Sequence, residues 1–331
     1  MLEPRENPWL FGHAAAAAVI GSAIQGGRLH HAWLIAGPQG VGKATLAYRF
    51  ARLLLSGDGD PNDPKAAVFR RIARGTHADL LTVEREWDEK RKRQRTEIVV
   101  DDARDVAGFL RLTPAEGGWR VVVVDGAEHL NRNAANALLK VLEEPPSQAV
   151  LLLTCAAPGR LLPTIRSRCR RLALGRLAAA DMALVLRQAL PDLDDGARVT
   201  LAGLAEGSPG RAADLAAADG VAIAGLVAEV LQAAPQLAAT RAYAVADRLG
   251  RSDGGYATFM DLLRDQLGAA VRDAVRGRAD ADQRRLMAAR PLGEWGEVWH
   301  ALGRLQDETE RSNLDKRHAI VSGLDLLNAH G

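Results

Sequence analysis

The sequence predicts an α/β fold, a parallel sheet covered by helices, followed by an all-helical second half. Three observations carry that expectation. Short β-branched runs alternate with helical patterns through the first half, as they do in successive βαβ units. The run Val121-Val122-Val123-Val124 is apolar without a break, which suits a parallel strand buried on both faces. Beyond about Arg171 the β signal disappears, and the chain reads as Ala- and Leu-rich helices punctuated by Gly and Pro.

Taken in order, strands are expected at Ala32 to Ala36, Leu80 to Glu84, Val121 to Asp125 and Val150 to Cys155. Helices are expected between them at Lys43 to Leu55, Val100 to Leu110 and Ala134 to Glu143. The last is ended by Pro145-Pro146, which have no N–H to donate. The stretch Glu84 to Glu97 mixes six basic with five acidic residues and reads as a solvated hairpin or loop rather than a dedicated DNA contact. In the second half, breaks at Pro191, at Gly207-Ser208-Pro209-Gly210 and at Asp219-Gly220 mark off a small helical unit from a longer C-terminal one. The final segment, Asn313 to Asn328, places Leu314, Val321, Leu324 and Leu327 at helical spacing, with Ile320 beside them. Divided at these breaks, the 331 residues form segments 1–172, 173–220 and 221–331.

Composition excludes several classes. Lys plus Arg is 43 against 41 Asp plus Glu, a net charge of +2, so bulk charge cannot coat the chain in nucleic acid. Any role on DNA must come from a local patch or from partners. Cys155 and Cys169 are too few for a disulfide framework or a four-thiolate zinc site and read as small buried hydrophobes in a reducing compartment. The N-terminus, Met1 to Glu6, is acidic where a secretory signal would be basic. No run approaches the roughly 20 apolar residues that span a bilayer. A cytoplasmic location with no membrane partner is the expectation.

One motif carries phosphate chemistry. Gly37-Pro38-Gln39-Gly40-Val41-Gly42-Lys43 follows a strand and opens a helix, the context that a phosphate-binding loop requires. Its glycines let backbone N–H groups turn toward phosphate oxygens, the helix N-terminus adds partial positive charge, and Lys43 adds a point charge. ATP or ADP is the expected ligand. The residue that normally supplies a hydroxyl to Mg²⁺ is here Ala44, and Thr45 is rotated about 100° along the helix, so the metal site is compromised. The strand ending in Asp125 continues Gly126-Ala127-Glu128, so Gly126 stands where an acid would polarise the attacking water. These two defects argue against efficient hydrolysis.

The stretch Asn133-Ala134-Ala135-Asn136-Ala137-Leu138-Leu139-Lys140-Val141-Leu142-Glu143-Glu144-Pro145-Pro146 is followed by Leu161-Leu162-Pro163-Thr164-Ile165-Arg166-Ser167-Arg168-Cys169. Together with Leu29-His30-His31-Ala32-Trp33, they resemble the clamp-loader branch of the AAA+ ATPases. The resemblance implies an AAA+ domain, a helical lid and an all-α collar. It further implies a ring that opens a sliding clamp and closes it on primed DNA, with motor and delta subunits as partners. A phosphate loop beside a broken hydrolytic strand is similar to that branch's non-hydrolysing scaffold members.

By resemblance, Arg168 is an arginine finger that neutralises charge on a neighbouring subunit's γ-phosphate. The plain alternative makes it one of several surface arginines, with Arg160, Arg166, Arg170 and Arg171, on a solvated or DNA-facing edge. The resemblance also puts Arg211 in a second sensor or on the surface, Thr154 or Cys155 near a γ-phosphate sensor, and Phe11-Gly12-His13 at adenine or in a plain turn. Relatives often carry a four-cysteine zinc module after the first helix. Residues Ser56 to Ala78 contain no cysteine and His77 cannot replace it, so no zinc is expected. An active ATPase motor of the same branch, or an independent P-loop ATPase, is the alternative function.

Overall fold

The structure is a computed structural model that describes residues 2–57, 60–88, 93–116, 118–249 and 254–328. The chain divides into two compact units, residues 1–212 and 213–331.

The first unit runs α1 (Ala14–Gln25), β1 (Ala32–Ala36), α2 (Lys43–Leu55), α3 (Ala67–Ala73), β2 (Leu80–Val83), β3 (Trp87–Asp88) and β4 (Arg93–Gln94). It continues with α4 (Val100–Arg111), β5 (Arg120–Val124), α5 (Arg132–Glu143), β6 (Ala149–Cys155), α6 (Pro163–Arg168) and β7 (Arg170–Ala173). Helices α7 (Ala179–Ala189) and α8 (Asp195–Ala205) follow, and α9 (Pro209–Ala217) begins within this unit. Five strands form one sheet in the order β2-β5-β6-β1-β7, every pairing parallel. The α/β fold expected of the AAA+ branch is therefore present.

Alternation along the strands builds two cores. Ala32, Leu34, Val122, Val124, Leu151 and Leu153 face α4, α5 and α6, while Trp33, Ile35, Val121, Val123, Val150 and Leu152 face α1, α2 and α3. Trp33 is fully buried and meets Phe50 edge-on at 5.3 Å. Helix α5 begins two residues before the expected Ala134, because the Asn131 side chain accepts from Ala134 N at 2.9 Å and caps it.

The β signal extends slightly further than the sequence suggests. Strand β7 pairs only with β1, at the sheet edge, so of its residues only Leu172 is buried and its arginines hide the strand pattern. The charged stretch after β2 does form a hairpin at its described ends: Trp87 and Asp88 pair antiparallel with Gln94 and Arg93.

The second unit is helical: α10 (Gly220–Ala233), α11 (Ala239–Leu249), α12 (Gly255–Val275), α13 (Ala281–Met287), α14 (Leu292–Ser312) and α15 (Lys316–Asp325). Phe259, Met260, Leu263, Trp295, Leu302 and Leu324 are buried in it. Of the apolar residues read in the final segment, Ile320, Leu324 and Leu327 are buried, but Leu314 is 46% exposed. Asn313 ends α14 at φ 49° and Asp315 caps α15, which leaves Leu314 in the break between two helices. Among the described residues, no helix is long and apolar enough to cross a membrane.

Candidate functional site

Residues 37–42 join β1 to α2 at the carboxyl edge of the sheet, the edge where parallel α/β sheets bind ligands. Gly40 and Gly42 have φ of 73° and 100°, conformations that side-chain-bearing residues rarely adopt. They curl the loop so that the unpaired first-turn N–H groups of α2 stand at its mouth, ready for an anion. Lys43 Nζ donates to Pro38 O at 2.7 Å, across the loop. Burial pulls Lys43 below the usual lysine range, and the carboxylates of Glu128 and Asp125 oppose that pull. Ala44 and Thr45 follow in the first turn of α2, both half-buried.

Segments distant in sequence close on this loop. His13 is buried and its Nε2 donates to Val41 O at 2.8 Å. From the other side Ser208 Oγ donates to Gln39 O and Gly210 N to Gly40 O, both at 2.9 Å. A Cβ on Gly210 would lie 2.7 Å from Gly40 Cα, and one on Gly40 would lie 2.4 Å from Ser208 Oγ, so the approach is backbone to backbone. Arg211 enters α9 here, its N–H bonded to Ser208 Oγ at 3.3 Å. The loop, Lys43, Asp125 and the start of α9 are thus brought to one edge. Ser208 and Gly210 belong to the stretch Gly207 to Arg211 that resembles a second sensor, but their contacts with Gln39 and Gly40 have no signal in the sequence beyond the Gly-Ser-Pro-Gly turn.

The carboxylates beside Lys43 are arranged unlike a regular hydrolytic strand. Asp125 Oδ1 accepts from Thr154 Oγ1 at 2.5 Å, and that hydroxyl accepts in turn from Gly126 N at 2.9 Å. Gly126 sits at φ 76°, where a glutamate would be strained. The chain then turns sharply, and Glu128 Oε1 accepts from Ala156 N at 2.9 Å, leaving its other oxygen buried and unpartnered. Glu128 is therefore fixed near Lys43. Beside it, burial pushes the Cys155 thiol up to about 12, so this thiol stays protonated and inert.

The loop fits a nucleotide polyphosphate. It suits Mg²⁺ less well, because Ala44 has no hydroxyl and Asp125 already shares one oxygen with Thr154. Among the described residues, no three His, Cys, Asp or Glu side chains converge as a metal site.

Arg168 lies elsewhere. It ends α6 just before β7 begins, at the amino edge of the sheet, and β1 and β7 run parallel with Trp33 opposite Arg170. The phosphate loop starts four strand residues further along, roughly 13 Å at about 3.3 Å per residue. Arg168 Nη2 pairs with Glu143 Oε1 at 2.8 Å, and its Nη1 donates to Thr164 O at 3.0 Å. Arg166, Ser167 and Arg171 line an open cleft of about 350 Å³ with Leu34, Pro158 and Pro163. Arg170 instead stacks over the Trp33 ring at 4.7 Å.

Comparison with known proteins places this geometry in a family. The family model described as DNA polymerase III, delta subunit, matches residues 12–178, a span that holds the phosphate loop, Asp125, Glu128 and Ser167-Arg168-Cys169. The delta prime subunit of DNA polymerase III from Pseudomonas aeruginosa is 44% identical over 190 residues, which cover 56% of this chain and 56% of that protein. The delta prime subunit from Escherichia coli is 39% identical over 153 residues, 45% of this chain and 43% of that protein. The chain thus spans about half the length of the curated relatives it matches. A gamma-subunit-related protein of DNA polymerase III from Thermotoga maritima aligns over 94% of this chain and 99% of its own, at 18% identity and a TM-score of 0.49. With half its residues inside the family model, the chain belongs to the DNA polymerase III delta-subunit family.

Proposed function

We propose that this chain is a delta-prime-type subunit of a bacterial clamp loader, a largely non-hydrolysing scaffold that presents Arg168 to ATP held by a neighbouring subunit. One observation carries the reading. The phosphate loop and Arg168 stand at opposite edges of a single sheet, so no one nucleotide can use both within this chain. An arginine so placed serves a site in trans.

In this reading residues 1–172 form the nucleotide domain, 173–220 a lid and 221–331 a collar for assembly. The partners are the motor and delta subunits, with the sliding clamp and primed DNA reached through the complex, in the cytoplasm. ATP or ADP occupies the loop of Gly37, Pro38, Gly40, Gly42 and Lys43. Thr45, Asp125 and Arg211 flank the phosphates, and Mg²⁺ is weakly held. When bound, the nucleotide would supply a polyanion that Lys43 and the first-turn N–H groups of α2 orient. Hydrolysis is slow because Asp125 is engaged by Thr154 and no carboxylate extends from position 126.

The test is reconstitution with candidate partner subunits, followed by an ATPase assay with and without this chain and with its Arg168→Ala variant. Assembly and DNA-dependent ATPase that depend on Arg168 are expected; an unchanged rate with Arg168→Ala removes the finger role.

A second reading, an active ATPase, is favoured by one feature: Glu128 is the acid whose charge acts most on Lys43. It requires the isolated chain to hydrolyse ATP as fast as the assembled complex.

A further inference from the structure

Helix α5 ends in an acid where helix electrostatics least favours one. Glu143 is its last residue and Glu144 its cap, so both carboxylates meet the negative end of the helix dipole. Lys140 in the same last turn offsets part of this, and a second cation comes from outside the helix. Arg168 at the end of α6 donates from Nη2 to Glu143 Oε1 at 2.8 Å, and from Nη1 to the Thr164 carbonyl at 3.0 Å. The guanidinium is held on two sides, yet its side chain keeps 35% exposure. Buried Ile165 roots α6 in the core that α5 shares, so the two anchors are fixed relative to each other.

The neighbouring arginines provide a contrast. Among the described residues, no carboxylate partners Arg166 or Arg171. An arginine left free must restrict several rotatable bonds before it can meet a phosphate, whereas one already tethered loses less on binding. A half-exposed ion pair contributes little to folding, so stability gives no adequate reason for the arrangement.

We infer that Glu143 is the positioning residue of Arg168: it fixes the guanidinium at the amino edge of the sheet so that the remaining N–H edge faces a phosphate on the adjoining subunit. The inference rests on the finger role proposed above. Glu143 touches no substrate and acts only through Arg168.

The test uses the full chain in the reconstituted complex, with kcat and KM for ATP measured for Glu143→Ala, Glu143→Gln, Arg168→Ala and the double alanine variant. Loss of positioning is expected to lower kcat about tenfold in Glu143→Ala with KM unchanged, since the arginine acts on the transition state. Glu143→Gln, whose amide oxygen still accepts from Nη2, is expected to retain kcat within about threefold. The double variant is expected to match Arg168→Ala alone. A wild-type kcat in Glu143→Ala, alongside a slow Arg168→Ala, overturns the positioning role and leaves the finger standing. A further loss in the double variant does the same. A wild-type kcat in Arg168→Ala overturns the finger itself, and the inference with it.

Discussion

At the carboxyl edge of the sheet Lys43 bonds to its own loop, Asp125 to Thr154 and Glu128 to Ala156 N, whereas toward the amino edge Arg166 and Arg171 meet no carboxylate among the described residues. The first edge satisfies its polar groups internally, the second oxygen of Glu128 excepted, and is shaped by glycines that let backbones touch. The second leaves cations facing outward and fixes one of them, Arg168, by a single acid. The difference teaches where each site is completed. An edge whose charged groups already hold neutral partners within the chain takes a ligand by exchanging those bonds. An edge of unpaired cations is completed by an anion brought from elsewhere.

The sharpest break in this comparison is Arg168→Ala. If the amino edge works in trans, hydrolysis at the site it faces falls by about 10³-fold or more, while melting of the chain alone shifts by less than about 1 kcal/mol. Parallel ATPase and thermal-denaturation measurements separate the two. The carboxyl edge should respond in the opposite sense. Gly210→Ala forces a methyl group against Gly40 Cα, and a destabilisation of about 1–3 kcal/mol is expected from overpacking. A denaturant titration that finds Gly210→Ala neutral would mean that the loop and α9 are not held together. Thr154→Val should cost somewhat less, about 1–2 kcal/mol, by leaving Asp125 and Gly126 N without their shared partner.

These contrasts were unequally legible in the sequence. The strand at Ala32 to Ala36 and the helix at Lys43 to Leu55 stand at their expected bounds, because an apolar run, a glycine loop and a lysine at the helix start leave little freedom. Strand β7 was obscured because an edge strand can expose arginines on most of its length. Leu314 was misplaced into a helix face because the periodicity of its apolar neighbours runs on through Asn313, while the backbone turns left-handed there. Asp125 and Lys43 were readable from motif spacing. Glu128 was not, since its place beside Lys43 depends on the turn at Gly126. The clasp of Ser208 and Gly210 joins residues 169 or more positions apart from Gln39 and Gly40, a pairing that no local pattern announces. Glu143 lay inside a recognised motif, but its partner became visible only when α5 and α6 were packed together.

The smallest expected effect on stability is also the most discriminating for the amino edge. Arg166 and Arg171 are exposed, line the cleft beside α6 and have no carboxylate partner among the described residues. Removing both, as Arg166→Ala with Arg171→Ala, deletes no ion pair and uncovers no core, so folding stability should change by no more than about 0.5 kcal/mol. Their charges should instead be felt in association. Exposed charges act across roughly 8 Å at physiological ionic strength and set encounter rates more than final affinity. The double variant should therefore join its partner subunits more slowly at low salt and lose much of the salt dependence of that rate. A stopped-flow association series at increasing salt measures this directly. Equal salt dependence in the variant and the parent would mean that these arginines are merely solvated, and would confine the outward-facing role of this edge to Arg168.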